Sequence, residues 1–493
     1  MGIAKLYSQS GGGGFKINGI IQDYYAYAGE KVEIGDFVEF INGKSGTRTE
    51  TSADTMLDDT TFESGHAITA VELDSNRVFI AHSGAATRYL YGMVVTINGT
   101  AITAGTDTSI IEINNAGQMK SVVRLENGNV FIVFNYNSKY LHGIVCEISG
   151  TTILGGLTHT STTLSDVTYS GYAISTELLP NGKVFIAHSY GSSYNLYGMV
   201  VTINGKKITA GTDTEIQASS YAAYTISTEL LPNGNIFIAH SLNSSPKLYA
   251  TVCSVSGTTI TAGTDTSIIS ENNSGRYISV AVLENNKVFI AHSRLISGEY
   301  YAFGIICSIS GTTISKGSDQ QLCNYLAGNL SVIALNSNEV FIVRGWYESY
   351  YYLYGMIATV SGTTITSGTD TPLNENSYSG YAISSILLPD GNMFIAHSYS
   401  TSYHLYAQIW GIDEANNVPT NNVTISEYET QVRKVTTSDI YGIAKTSGEG
   451  GDSTGHKDMI QVYQPYPEKR FVMADGNTLV TSNGDVFLLK EAI

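Results

Sequence analysis

SGYAISTELLPNGKVFIAHSYGSSYNLYGMVVTINGKKITAGTDT, residues 170–214, is a unit that the chain repeats seven times with small changes. Its V-F-I-A-H-S phrase recurs, intact or nearly so, around Phe79, Phe131, Phe185, Phe237, Phe289, Phe341 and Phe394. The steps between successive phenylalanines are 52, 54, 52, 52, 52 and 53 residues. Self-similarity at this period, built from strand signals, is how propeller blades appear in sequence. Tyr172–Leu179 alternates apolar with polar residues and runs into a Pro-Asn-Gly turn, and Lys183–Ser189 is a short apolar run. Leu196–Ile203 ends at Asn204-Gly205, and Lys207–Thr214 closes the unit. Asn-Gly and Ser-Gly pairs recur at the hairpin positions, where a two-residue turn needs positive φ. No stretch holds a 3.6-residue apolar period, so almost no helix is expected.

Working outward, Thr47–Thr55 (TRTETSADT) reads as an orphan fourth strand ahead of the first full copy, because it ends as the ITAGTDT segments end. The last copy, Tyr381–Ile412, lacks that ending, and Asp413–Thr420 reads as an exit loop. One early strand completing the last blade would satisfy both and remove two exposed sheet edges. The expected fold is therefore all-β: a seven-bladed β-propeller of four-stranded blades over 47–420, inserted in a small β-barrel-like base domain. An open solenoid is the alternative, with uncapped end units. The base is assembled from residues 1–46 and 421–493, two flanks too short to fold apart. With both chain crossings on the tight-turn face, the base would lie beneath the ring. The loops between strands two and three would then face outward with the inter-blade loops.

Composition narrows the partners. The net charge is −17, with 26 Lys and Arg among 493 residues, which argues against nucleic acid and anionic membranes. No run of 18 apolar residues exists, so no membrane insertion is expected. The opening MGIAKLYSQSGGGGFKING lacks the apolar core of a secretory signal. Cys146, Cys253 and Cys307 occupy one position of three copies and read as free core thiols.

The outward loops are rich in tyrosine, a composition suited to glycans and proteins. The candidate ligand-binding residues are Arg344, Trp346, Tyr347, Glu348, Tyr350 and Tyr351 in the sixth copy. Tyr190, Tyr194, Tyr399 and Tyr403 join them from other copies. His82, His188, His240, His292 and His397 end the second strand of five copies, with Phe134 and Arg344 in the other two. A position repeated in most blades reads as architectural, so no metal and no other cofactor is expected. The Asp of Gly-Thr-Asp-Thr reads as an acceptor for turn N–H groups. The outward loops show no unique acidic pair, so no catalytic residue is expected and the protein reads as non-enzymatic.

The flanks carry a resemblance. AGEKVEIGDFVEFING with IYGIAKTSGEGGDSTGHKDMIQVY, over about residues 20–46 and 430–465, resembles the small β domains of tailed-bacteriophage virion proteins. These include capsid decoration (cement) proteins and tail appendages. The resemblance implies a virion-surface protein made in the host cytoplasm, whose base docks on other virion proteins, the capsid foremost. Its propeller would then display the tyrosine face to host-surface glycan or protein. A tail-fibre or baseplate receptor-binding protein is one alternative. A carbohydrate-active hydrolase on a propeller scaffold is another.

Overall fold

The structure is a computed structural model, described over residues 19–26, 31–32, 37–58, 67–84, 88–137, 140–154, 161–219, 222–223, 225–242, 247–284, 286–326, 328–347, 351–374, 376, 379–399, 404–434, 442–444, 448–449 and 459–465. Every regular element among these residues is a strand. The chain divides into two compact units, Glu50–Val423 and the pair Met1–Thr49 with Thr424–Ile493.

The larger unit is a seven-bladed propeller. In the third blade, Ile174–Leu178, Val184–Tyr190 and Asn195–Asn204 pair antiparallel in turn. The turn after Leu178 closes with the Leu179 N–H on the Lys183 carbonyl, and Gly182 takes φ +75° there. The fourth edge comes in two pieces, Lys207–Thr209 and Thr214–Gln217, both laid against the third strand. Gly-Thr-Asp interrupts it, and a side chain at Gly211 would run into the Val200 carbonyl oxygen. The other blades repeat this plan.

Seven phenylalanines of the V-F-I phrase are fully buried. Burying one such ring contributes about 1.5–3 kcal/mol. Each apolar layer joins two blades: Phe237, Leu248 and Val252 pack with Val288, Ile290 and Ile305 of the next. Cys146, Cys253 and Cys307 lie in these layers as buried free thiols, pushed up to about 12 by burial.

The innermost strands carry a device that the sequence reading passed over. Their inner edges would leave N–H groups unpaired, and hydroxyls of the preceding blade take them. Ser175 Oγ accepts from the Thr228 N–H at 3.1 Å, Ser227 from Val280 at 3.2 Å, and Ser279 from Val332 at 3.0 Å. Ser331 accepts from Ser385 at 3.1 Å, and Ser384 from Ala70 at 3.0 Å. That last bond joins blade seven to blade one and closes the ring, which rules out the open solenoid.

The closing strand differs from the expectation. It is Thr55–Asp58, paired with Leu405–Asp413 through Thr55↔Ala407, Met56↔Tyr406 and Asp58↔Leu405. Val418–Thr420, expected to be a loop, forms the first half of that edge. Thr47–Thr51 belongs to the long strand Phe37–Thr51. The difference arises because every fourth edge is two short strands, in four blades around Gly-Thr-Asp, which reading by alternation merges into one.

In the smaller unit Gly19–Ala26, Asn422–Lys434, Phe37–Thr51, Gly442–Ala444 and Met459–Pro465 follow one another around a closed barrel. Gly19–Ala26 pairs antiparallel with Met459–Pro465 to complete it.

Candidate functional site

The repeated histidines are fully buried, and each meets an aspartate of its own blade's outer edge. His82 Nε2 lies 2.8 Å from Asp107 Oδ1, His188 2.8 Å from Asp213 and His240 2.9 Å from Asp265. His292 lies 2.9 Å from Asp319, and His397 2.8 Å from Asp54, which the chain supplies from 343 positions away. The Nδ1 atoms of His240, His292 and His397 face the carbonyls of Ala222, Ser274 and Ser379 in the loop leading into the blade. These three clasps therefore tie second strand, outer edge and inter-blade loop, whereas the Nδ1 atoms of His82 and His188 face the carbonyls of Ser83 and Ser189 beside them. The aspartates thus bind histidine, a correction to the expectation that they serve turn N–H groups. Burial pushes the His82 imidazole down, but the charge and hydrogen bond of Asp107 outweigh it and the net shift is upward. In blade six Arg344 replaces histidine and pairs with Asp370.

These clasps use one carboxylate oxygen; the fate of the other differs between seams. In blade four Asp265 Oδ2 takes the Gln217 amide at 2.6 Å. In blade five Asp319 Oδ2 takes the Arg294 guanidinium at 3.3 Å, and Arg294 also reaches Glu271 at 3.6 Å. In blade seven Asp54 Oδ2 takes the Asn374 amide at 2.6 Å and the Tyr399 hydroxyl at 3.1 Å. Between blades two and three this filling is absent. Ser165 stands at the edge position of Gln217 and Asn374, and its short side chain turns to Ser170. Tyr190 stands at the position of Tyr399, but its ring stacks on Tyr197, with centroids 4.0 Å apart and planes at 16°.

The result is a cavity of about 330 Å³, lined by Thr163, Ser165, Asp166, Tyr190, Gly211 and Asp213 among others. Asp213, with 21% of its side chain exposed, has no hydrogen bond from a described residue to its outer oxygen. Burial raises the Tyr190 hydroxyl, and the charges of Asp213 and Asp166 raise it further, so the three groups share one field. Asp107 in blade one also keeps an outer oxygen without such a bond. The edge position beside it is Asp58, and residues 59–66 lie outside the described residues.

Of the described residues expected to bind ligand, Tyr190 alone lines this cavity. Arg344 is 1% exposed and sits inside its ion pair, its guanidinium 5.0 Å from the Tyr354 ring centroid. That burial corrects the expectation of a surface contact. Tyr194 holds a turn, its carbonyl accepting the Ala223 N–H at 2.8 Å and its ring 4.8 Å from that of Tyr172. Tyr399 is locked into the closing seam by Asp54, Asn374 and Asn376, and burial first, then the Asp54 charge, pushes it up to about 12. Trp346, Tyr347 and Tyr351 lie in paired strands, with side chains outside the described residues. Glu348, Tyr350 and Tyr403 lie outside the described residues altogether. Asp166, Asp213 and Ser165 were missed. Their signal was a comparison between copies: Ser165 against Gln217 and Asn374.

A second pair of carboxyls stands on the innermost strands of blades three and four. Glu177 accepts from the Thr228 hydroxyl at 2.8 Å. Burial and then the neighbouring Glu229 charge hold the Glu177 carboxyl well above the usual carboxylate range, and burial lifts Glu229 to about 7. The corresponding residues elsewhere are Val71, Val123, Ala281, Ile333 and Ile386, so this acidic pair breaks the repeat. Because the folded state holds this proton more tightly, Glu229 destabilises the fold progressively as pH rises from about 4.5 to about 7. Glu229→Gln should match wild type at pH 4 and exceed it by about 1–3 kcal/mol at pH 8 in urea unfolding. A difference independent of pH would refute this assignment.

No family model matches the chain, and no curated protein matches it. Solved structures similar to the propeller include a protein of unknown function from Dyadobacter fermentans, at 10% identity and TM-score 0.46, covering 74% of this chain and 98% of that one. Another is an ulvan lyase of a polysaccharide lyase family, at 9% identity and TM-score 0.44, covering 74% and 95%. A third is a variant of the NanB sialidase from Streptococcus pneumoniae, at 12% identity and TM-score 0.42, covering 78% and 70%. Likeness at this level reaches no further than the fold. The expectation of a non-enzymatic protein is corrected accordingly: a repeated propeller scaffold by itself gives no ground for excluding catalysis.

Proposed function

We propose that this protein is a carbohydrate-active hydrolase whose substrate enters the cavity between blades two and three. One observation carries the reading. Asp213, Asp166 and Tyr190 converge on about 330 Å³ of space that Asn374 and Tyr399 fill at the closing seam. Glycoside hydrolysis needs two carboxyl groups, one to protonate the leaving oxygen and one to activate water or attack the anomeric carbon. His188 holds the inner oxygen of Asp213 and leaves the outer one facing the cavity, which suits the anionic role. Asp166, exposed where it lines the same cavity, supplies the second carboxyl group. Tyr190, its ring stacked on that of Tyr197, is the aromatic side chain that lines the cavity, where a sugar would meet it.

The test is release of reducing ends from a panel of polysaccharides. Wild type is expected to cleave at least one, and Asp166→Asn to slow that cleavage roughly 10²–10⁴-fold with its melting temperature unchanged. No cleavage of any panel member, or an undiminished rate in the variant, would overturn the proposal. A place on a tailed-phage particle belongs to the same proposal and rests on the resemblance of residues 20–46 and 430–465. There the base would bind other virion proteins, and copy number would multiply a modest affinity for host-surface glycan.

A further inference from the structure

We infer that the cavity between blades two and three selects a saccharide bearing a protonated amine over one bearing a carboxylate or sulfate. The inference rests on the proposed function for its ligand class and on the other seams for its charge.

The other seams show what the outer aspartate oxygen takes. Its occupants are the Gln217 amide, the Asn374 amide, the Tyr399 hydroxyl and the Arg294 guanidinium, all hydrogen-bond donors. Arg294 is the informative one. It bridges Asp319 of its own blade and Glu271 from the turn that follows the preceding blade's edge. Asp213 and Asp166 form a related pair, the first from the clasp and the second from the turn after the edge strand Thr162–Ser165, one position earlier than Glu271 in its own turn. At the position of Arg294 this blade has Tyr190, so among the described residues two carboxylates face the cavity without a cation like the one that bridges the pair between blades four and five.

Charge and size agree. Among the described residues no Lys or Arg lines the cavity, and the chain carries a net charge of −17, so an anionic sugar meets repulsion near and far. An ammonium on a sugar ring would donate to both carboxylates in charge-assisted bonds while its hydroxyls reach Thr163 and Ser165. The volume lies at the small end of ligand cavities, which run about 300–1,000 Å³, and suits one sugar residue. Among the described residues no third His, Cys, Asp or Glu joins the pair as a metal ion would require.

The experiment is calorimetric binding to the full chain at pH 6. The probes are a glucosamine trimer, its N-acetylated counterpart, a galacturonate trimer and lysine amide. The glucosamine trimer is expected to bind about tenfold tighter than the N-acetylated one, with no galacturonate binding. Asp166→Asn should erase that preference. Ser165→Gln should abolish binding by plugging the cavity as Gln217 plugs its neighbour, with no loss of melting temperature. Equal or tighter binding of the neutral or acidic trimer, or binding that survives Ser165→Gln, overturns the inference. Lysine amide binding as tightly as the trimer overturns the saccharide part. Tight glucosamine binding without cleavage would sink the hydrolase and leave the selectivity standing. Cleavage of a neutral or anionic glycan that Ser165→Gln abolishes would do the reverse.

Discussion

Replacing Asp54 by alanine is expected to lower the free energy of unfolding by about 2–4 kcal/mol and to loosen the ring at one seam only. Asp54 accepts from three side chains of the last two blades: His397 at 2.8 Å, Asn374 at 2.6 Å and Tyr399 at 3.1 Å. His397 is fully buried, so its ring nitrogen would be stranded without water or partner. The same residue immediately precedes the segment Thr55–Asp58 that completes the last blade, held further by Ser52, whose hydroxyl accepts the Ile409 N–H at 3.0 Å. Asp265→Ala is the control, because it removes an equivalent clasp whose partner is only 25 positions away. Hydrogen exchange should separate the two. Asp54→Ala should expose the amides of Leu405–Asp413 and Ala70, and Asp265→Ala those of its own blade. Indistinguishable exchange maps would mean that the early segment is not what closes the ring.

Arg344→Met should destabilise the protein by about 3–5 kcal/mol, because it leaves the Asp370 carboxylate charged and without a cation in a half-buried position. Arg344→His should restore the clasp of the other blades and stay within about 1 kcal/mol of wild type. The pairing distance supports this: Arg344 and Asp370 are 26 positions apart, against 25 for His188 and Asp213. Denaturant midpoints decide the matter. A near-neutral Arg344→Met would return this residue to the surface role that its neighbours Trp346 and Glu348 suggested.

The clasps show how much of the site was legible and where reading stopped. The histidines were visible as a repeated position, and so were the aspartates, but their union was not drawn from the sequence. The copies held the clue. Four of the five units with histidine supply the aspartate themselves, the seventh receives it from the early Ser-Ala-Asp-Thr segment, and the unit with Phe134 reads Leu-Gly-Gly-Leu-Thr-His-Thr where an aspartate would stand. The aromatic loops misled for a different reason. Tyrosines such as Tyr194 and Tyr399 look like a display surface in one dimension, but in the fold they hold a turn and a seam. Amphipathic rings serve both purposes equally well, and only their neighbours distinguish the two.

By itself the sequence determined the blade, the number of blades and closure by an early strand. Strand alternation, turn chemistry and the unpaired ends are written locally in every copy, so they need no knowledge of what lies across a seam. Which seam stays open was decided by tertiary structure alone. Ser165, Tyr190 and Asp213 come from two copies, and each is unremarkable in its own. Only when blade two lies against blade three does a side chain too short to reach its neighbour become a cavity holding two carboxylates.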